Sequence, residues 1–79
     1  MELKDLISID QEVLSGQPVF KGTRVPIETL FDHLEAGIAI EEFLEDFPTV
    51  AKEQAIGVLD VANKFLTAKN MAALYEIAA

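Results

Sequence analysis

Gly16-Gln17-Pro18-Val19-Phe20-Lys21-Gly22-Thr23-Arg24-Val25-Pro26-Ile27 decides how this chain folds, because it holds most of the unusual backbone residues of the first half. Gly16 and Gly22 permit positive φ, whereas Pro18 and Pro26 hold φ where an extended segment or a first helical turn needs it. Between the two pairs, Val19 and Phe20 form a short apolar run of the kind that pairs in a small sheet. The stretch therefore reads as a stop, a short strand, a turn and a helix start. Its turn, at Lys21-Gly22, delivers Lys21 and Arg24 to the mouth of the following helix, and no other part of the sequence sets two cations beside a turn.

On its N-terminal side, Leu6-Ile7-Ser8-Ile9-Asp10 alternates apolar and polar residues after Leu6, the period of a half-buried strand. Ser15-Gly16 closes the connection to Val19-Phe20, so an antiparallel two-stranded ribbon with a longish loop is expected. A ribbon of that size is marginal alone and must lie on helices or be completed by another chain. On its C-terminal side a first helix is expected from Pro26, with Ile27, Leu30, Phe31 and Leu34 on one face and Gly37 as a left-handed cap. A second repeats that spacing with Ile40, Phe43, Leu44 and Phe47 and is stopped by Pro48. A third is expected from Ala51-Lys52 to about Lys69. It carries one stripe of Ala55, Ile56, Leu59, Ala62 and Leu66 and another of Val58, Val61 and Phe65, which suggests two packing partners. Met71, Leu74, Tyr75 and Ala78 keep a helical period, as a tail helix or as a continuation through Asn70.

Two short helices, a tight turn and a longer third helix are the length pattern of a three-helix DNA-binding fold whose third helix enters the groove. The expected architecture is mostly α. It comprises a homeodomain-like helix-turn-helix core at residues 27–66, an N-terminal β-hairpin at 6–26 and a C-terminal helical extension at 67–79, forming a single domain over 1–79.

Gly22-Thr23-Arg24-Val25-Pro26, followed by Ala36-Gly37 and then Asp46-Phe47-Pro48 between helices, resembles the domain-of-unknown-function family 433 over roughly residues 7 to 66. The resemblance implies a small helix-turn-helix protein, and several members of that family look like antitoxins encoded beside a nuclease-like toxin. Two departures concern helix starts: Ala39 and Ala51 stand where the family usually has Ser, Thr or Asp, and each missing cap forgoes about 1 kcal/mol. Val61 replaces a frequent aromatic.

Seventy-nine residues allow one modest core. A hydrophobic share of 51% is high for so little interior, so part of the apolar surface is expected to face a second copy, giving a homodimer, or a partner. The absence of cysteine excludes disulfides, thiolate metal sites and cysteine nucleophiles, and a cytoplasmic protein is expected. No run is apolar for long enough to be a signal peptide or to span a bilayer, and no membrane partner is expected. The formal net charge of -8 opposes non-specific nucleic-acid binding, but it is unevenly spread. Glu28, Asp32, Glu35, Glu41, Glu42, Glu45 and Asp46 fall in residues 27 to 47, which hold no Lys or Arg. The hairpin and the third helix are left as the DNA-facing parts.

Chemistry is not expected. The sole histidine, His33, sits at the rim of the first helix's stripe and is read as solvated or capping; an enzyme would need it as base. Neither His33 with Asp32 or Glu35 nor the Glu41-Glu42 and Glu45-Asp46 pairs come with a ligand loop, so no metal, catalytic group or cofactor is expected. For DNA, Gln54 and Asn63 can read adenine, Lys52 and Lys64 can hold phosphates, and Lys21, Thr23 and Arg24 can add backbone contacts, unless Arg24 pairs with Asp32 or Glu28. For a protein partner, Glu35, Glu41, Glu42 and Glu45 would complement a basic toxin, and Met71, Leu74 and Tyr75 are suited to a groove, the partner's or that of the chain's own dimer. The function expected is an antitoxin that binds a basic toxin encoded nearby and represses its own promoter. The alternative is a protein-interaction module of the same fold without significant DNA affinity.

Overall fold

In a computed structural model that describes residues 2–78, the chain runs α1 (Leu3–Leu6), β1 (Ile7–Ser8), β2 (Val19–Phe20), α2 (Ile27–Glu35), α3 (Ile40–Asp46), α4 (Lys52–Leu66) and α5 (Met71–Ala78). β1 and β2 pair antiparallel, as expected, with Ile7 opposite Phe20 and Ser8 opposite Val19. The ribbon is shorter than expected, because Leu6 belongs to α1 and Ile9 is exposed. β2 also gains a partner on its other edge. The Phe20 N–H donates to the Val25 carbonyl at 2.9 Å, the Ile27 N–H donates to Pro18 at 3.0 Å, and Val19 bridges Pro26. Flanked on both sides, Val19 and Phe20 are fully buried.

The helix limits follow the punctuation of the sequence. Pro26 is the N-cap of α2, still extended, and the helix proper begins one residue later than expected. At its other end Gly37, at φ 80°, closes a double turn: its N–H donates to Leu34 and that of Ile38 donates to His33. Only a residue tolerant of the left-handed region lets the chain reverse there and start α3 at once. Phe47-Pro48 ends α3, and the turn that follows drives Val50 into the core. Neither Ala39 nor Ala51 supplies a side-chain cap, as expected. At α4 the loss is partly offset, since the Gln54 Oε1 accepts from the Ala51 N–H at 3.0 Å.

The core is one cluster in which Leu6, Phe20, Leu30, Phe43, Val50, Ala55 and Val58 are buried. The Phe20 and Phe43 rings lie 6.0 Å apart and those of Phe43 and Phe47 lie 5.1 Å apart, so the hairpin, α3 and the α3–α4 turn meet at Phe43. α1, which the sequence did not announce, adds Leu6 to this cluster by lying against α4 at Gly57. A β-carbon at that glycine would stand 2.6 Å from the Leu6 Cδ2, so the close approach needs a residue without one.

Two expectations for the last third are corrected, and of the two alternatives for the tail the structure takes the separate helix. α4 stops at Leu66 rather than near Lys69, because Thr67 turns its hydroxyl back to donate to the Asn63 carbonyl at 2.8 Å. The tail is a separate helix after a break at residues 67–70. The two stripes of α4 are unequal: Ala55 and Val58 are buried, whereas Ile56, Phe65 and Leu66 are exposed.

Leu14 and Ser15, at φ 50° and 57°, precede Gly16 in the left-handed region. A residue with a β-carbon is disfavoured there by roughly 1–2 kcal/mol. Ser15 is exposed, so Ser15→Gly is expected to stabilise the fold by about 0.5–1 kcal/mol after glycine's larger entropy loss is deducted. A rise in urea midpoint at unchanged slope checks this; a fall would mean that the turn is not strained.

Candidate nucleic-acid interface

The hairpin turn and the start of α4 are joined through one side chain. Gln54, in the first turn of α4, donates from Nε2 to the Lys21 carbonyl at 3.0 Å while its Oε1 holds the Ala51 N–H. Both ends of the amide are engaged, so Gln54 is placed as a tether between the turn and the helix, not as the base-reading side chain that its position suggested. Thr23 is likewise turned inward: its hydroxyl donates to the Phe20 carbonyl at 2.8 Å and accepts from the Val25 N–H at 3.0 Å, fixing the turn.

These bonds hold the turn bearing Lys21 and Arg24 against the helix end bearing Lys52. All three are exposed, and among the described residues none makes an ion pair, so the pairing of Arg24 with Asp32 or Glu28 is not formed. Glu28 instead accepts from the Gln17 Nε2 at 3.3 Å. Ala51 offers no side-chain cap to the first N–H groups of α4, and helix N-termini favour negative charge.

Asn63 and Lys64 lie apart from this cluster. Asn63 is about 17 Å beyond Lys52 at about 1.5 Å per residue, on the same face of α4. Lys64 pairs with Asp60 at 3.0 Å, and this neighbouring carboxylate opposes a phosphate at the same place. Between them, Ile56 and Gly57 floor a shallow concavity bordered by Lys52, Glu53 and Asp60. Glu53 and Asp60, the two acids on this face, oppose an anion.

The acidic residues of α2 and α3, Glu35, Glu41, Glu42 and Glu45 among them, are all exposed. His33 is not solvated but one-fifth exposed, which corrects the expectation. Its Nδ1 donates to the Thr29 carbonyl at 2.8 Å, its ring meets those of Phe43 and Phe47 edge-on at 5.3 and 5.6 Å, and its Nε2 stands 3.8 Å from Asp46. It fastens α2 to α3. Among the described residues no group of three or more His, Asp or Glu is arranged to hold a metal, and no helix is long and apolar enough to cross a membrane. In the tail, Met71 is half-buried and Leu74 and Tyr75 are exposed.

A three-helix core fronted by a short antiparallel ribbon, with a basic edge where ribbon and third core helix meet, defines a small helix-turn-helix protein. The chain belongs to the family described as "Protein of unknown function (DUF433)", whose profile it matches over residues 7–61. A crystal structure of a DUF433 member from Anabaena variabilis superposes with a TM-score of 0.62 at 26% identity, covering 98% of this chain and 72% of that one. The uncharacterized protein y4eO of Sinorhizobium fredii is 31% identical over 51 residues, which are 65% of this chain. The match spans 23% of y4eO, so that relative is several times longer than the shared region.

Proposed function

We propose that this chain is a dimeric, cytoplasmic antitoxin-like regulator that contacts the backbone of its own promoter through the basic edge and binds a basic toxin through the acidic α2–α3 surface. The observation that carries the reading is the Gln54–Lys21 bond, which spans 33 residues of sequence and fastens the turn that bears Lys21 and Arg24 to the first turn of α4, where Lys52 lies. A chain of net charge -8 whose hairpin turn carries two cations, and whose tethered helix start carries a third, all without an ion pair among the described residues, suits a local anion contact better than general adhesion. In this reading the exposed Asn63, a helical face away from the tether, reads a base, with Lys64 as an auxiliary contact and Thr23 and Gln54 as supports.

The acidic surface supports the second half. Its exposed carboxylates would speed encounter with a basic partner and, once covered, would no longer repel DNA. The reading includes no catalysis: the one histidine is engaged by a carbonyl and packed edge-on against two phenylalanine rings.

The partner half is tested by titrating the purified product of the adjacent gene with the chain and with a Glu41→Lys, Glu42→Lys, Glu45→Lys variant at low and moderate salt. The expected result is a complex that weakens with salt and is lost in the variant. Equal affinity for both proteins would remove the acidic surface from the reading.

A further inference from the structure

One stretch of surface is apolar and uncovered: a groove between α1, the hairpin, α2 and α4, lined by Leu3, Ile27, Phe31, Val61, Ala62 and Phe65. Phe65 at its lip is 62% exposed. An apolar helix is uncovered too. α5 has eight residues, of which Glu76 alone is charged, and Leu74, Tyr75 and Ile77 are 43%, 72% and 82% exposed. A helix that short does not persist in water without a surface to lie on.

The overall dimensions point the same way. The Cα radius of gyration is 13.8 Å, against about 12 Å for a compact chain of this length. The accessible surface is 5641 Å², whereas a compact monomer of 8.7 kDa exposes about 4,700 Å². The excess, roughly 900 Å², is close to the ~800 Å² that each partner gives to a stable interface of standard size.

We infer that the chain dimerises by reciprocal exchange of its tail, each copy laying Met71, Leu74 and Tyr75 of α5 in the groove of the other. Charge selects a second copy as the occupant. Two chains of net charge -8 meet most closely through uncharged surface, and every side chain that lines the groove is apolar, as is all of α5 but Glu76 and the Tyr75 hydroxyl, whereas a basic partner is drawn to the exposed carboxylates of α2 and α3, none of which lines the groove. α4 ends at Leu66, one residue past Phe65 at the groove's lip, and no residue of the tail that follows lines the groove. Exchange about a two-fold axis covers both grooves and both tails with one contact type and closes the assembly at two. The inference rests on the dimer in the reading above and is independent of DNA and toxin.

The test uses full-length chains, which contain no native cysteine. Ala62→Cys places a thiol in the groove and Ala73→Cys one on the tail. Each single variant and their equimolar mixture are treated with a short bismaleimide, and the native masses are measured by light scattering at micromolar concentration. Exchange predicts a species of twice 8.7 kDa in solution and a covalent heterodimer that forms in the mixture far faster than a link in either single variant. It also predicts that Leu74→Asp with Tyr75→Asp halves the mass without loss of the helical circular dichroism of the core. A monomer whose Ala62→Cys, Ala73→Cys double variant links internally would show that the tail closes its own groove, overturning the exchange and the dimer together. A dimeric mass with no groove-to-tail link would overturn the exchange and leave the dimer standing.

Discussion

Phe43→Ala is expected to lower the stability by about 3–5 kcal/mol, the largest effect of any single side-chain truncation in this fold. Phe43 is fully buried and its ring touches those of Phe20, Phe47 and His33, so one deletion opens the hairpin, α3 and the α2–α3 junction together. Those rings are fixed by elements that cannot all move inward, and the cavity is not expected to collapse. A domain of this length has of order 4–12 kcal/mol in total, so the variant is expected to melt some 15–30 °C lower or to be largely unfolded at room temperature. Thermal unfolding followed by circular dichroism measures this directly. A loss below about 1.5 kcal/mol would mean that Phe43 is not the point where the elements meet.

Lys21→Glu with Lys52→Glu is expected to abolish promoter binding while leaving the fold intact. Both side chains are exposed, and the Gln54 tether uses the Lys21 backbone carbonyl, so it survives the substitution. Each cation in contact with a phosphate contributes about 1.5–3 kcal/mol, and reversal of two should weaken binding at least about 100-fold. The slope of log affinity against log salt should also fall by about one for each lost contact. Lys64→Glu, already paired with Asp60, is expected to weaken binding far less. Binding unchanged in the double variant, with the helical signal retained, would remove the basic edge from the interface and leave the interaction-module reading.

Much of the architecture can be read from the sequence, because local residues dictate it. Pro26, Gly37 and Pro48 stop and start helices by their own backbone preferences, and each marks a boundary in the structure within a residue or two. The alternation around Ile7 placed β1 opposite β2. What the sequence hid depends on partners distant in the chain. α1 is four residues long, too short to show a period, and it exists because Leu6 finds the gap at Gly57. Gln54 looked like a base reader because it lies near the exposed edge of α4; its bond to Lys21 cannot be seen from spacing. Val58 and Phe65 are alike in hydropathy and both fit a helical stripe, yet one lies in the core and the other is open to solvent. Periodicity marks a face as apolar without naming what covers it. Of the candidate site, the cations of the hairpin were legible from their crowding beside a turn, but the tether of that turn to the start of α4 was not.

Fluorescence anisotropy of a labelled duplex from upstream of the chain's own gene tests the regulator reading most directly. The protein is titrated alone and then with the adjacent gene's product, at two salt concentrations and against a scrambled duplex. The predicted result is sequence-selective binding that weakens steeply with salt and tightens when the partner covers the acidic surface. No selective binding in any of these conditions would contradict it.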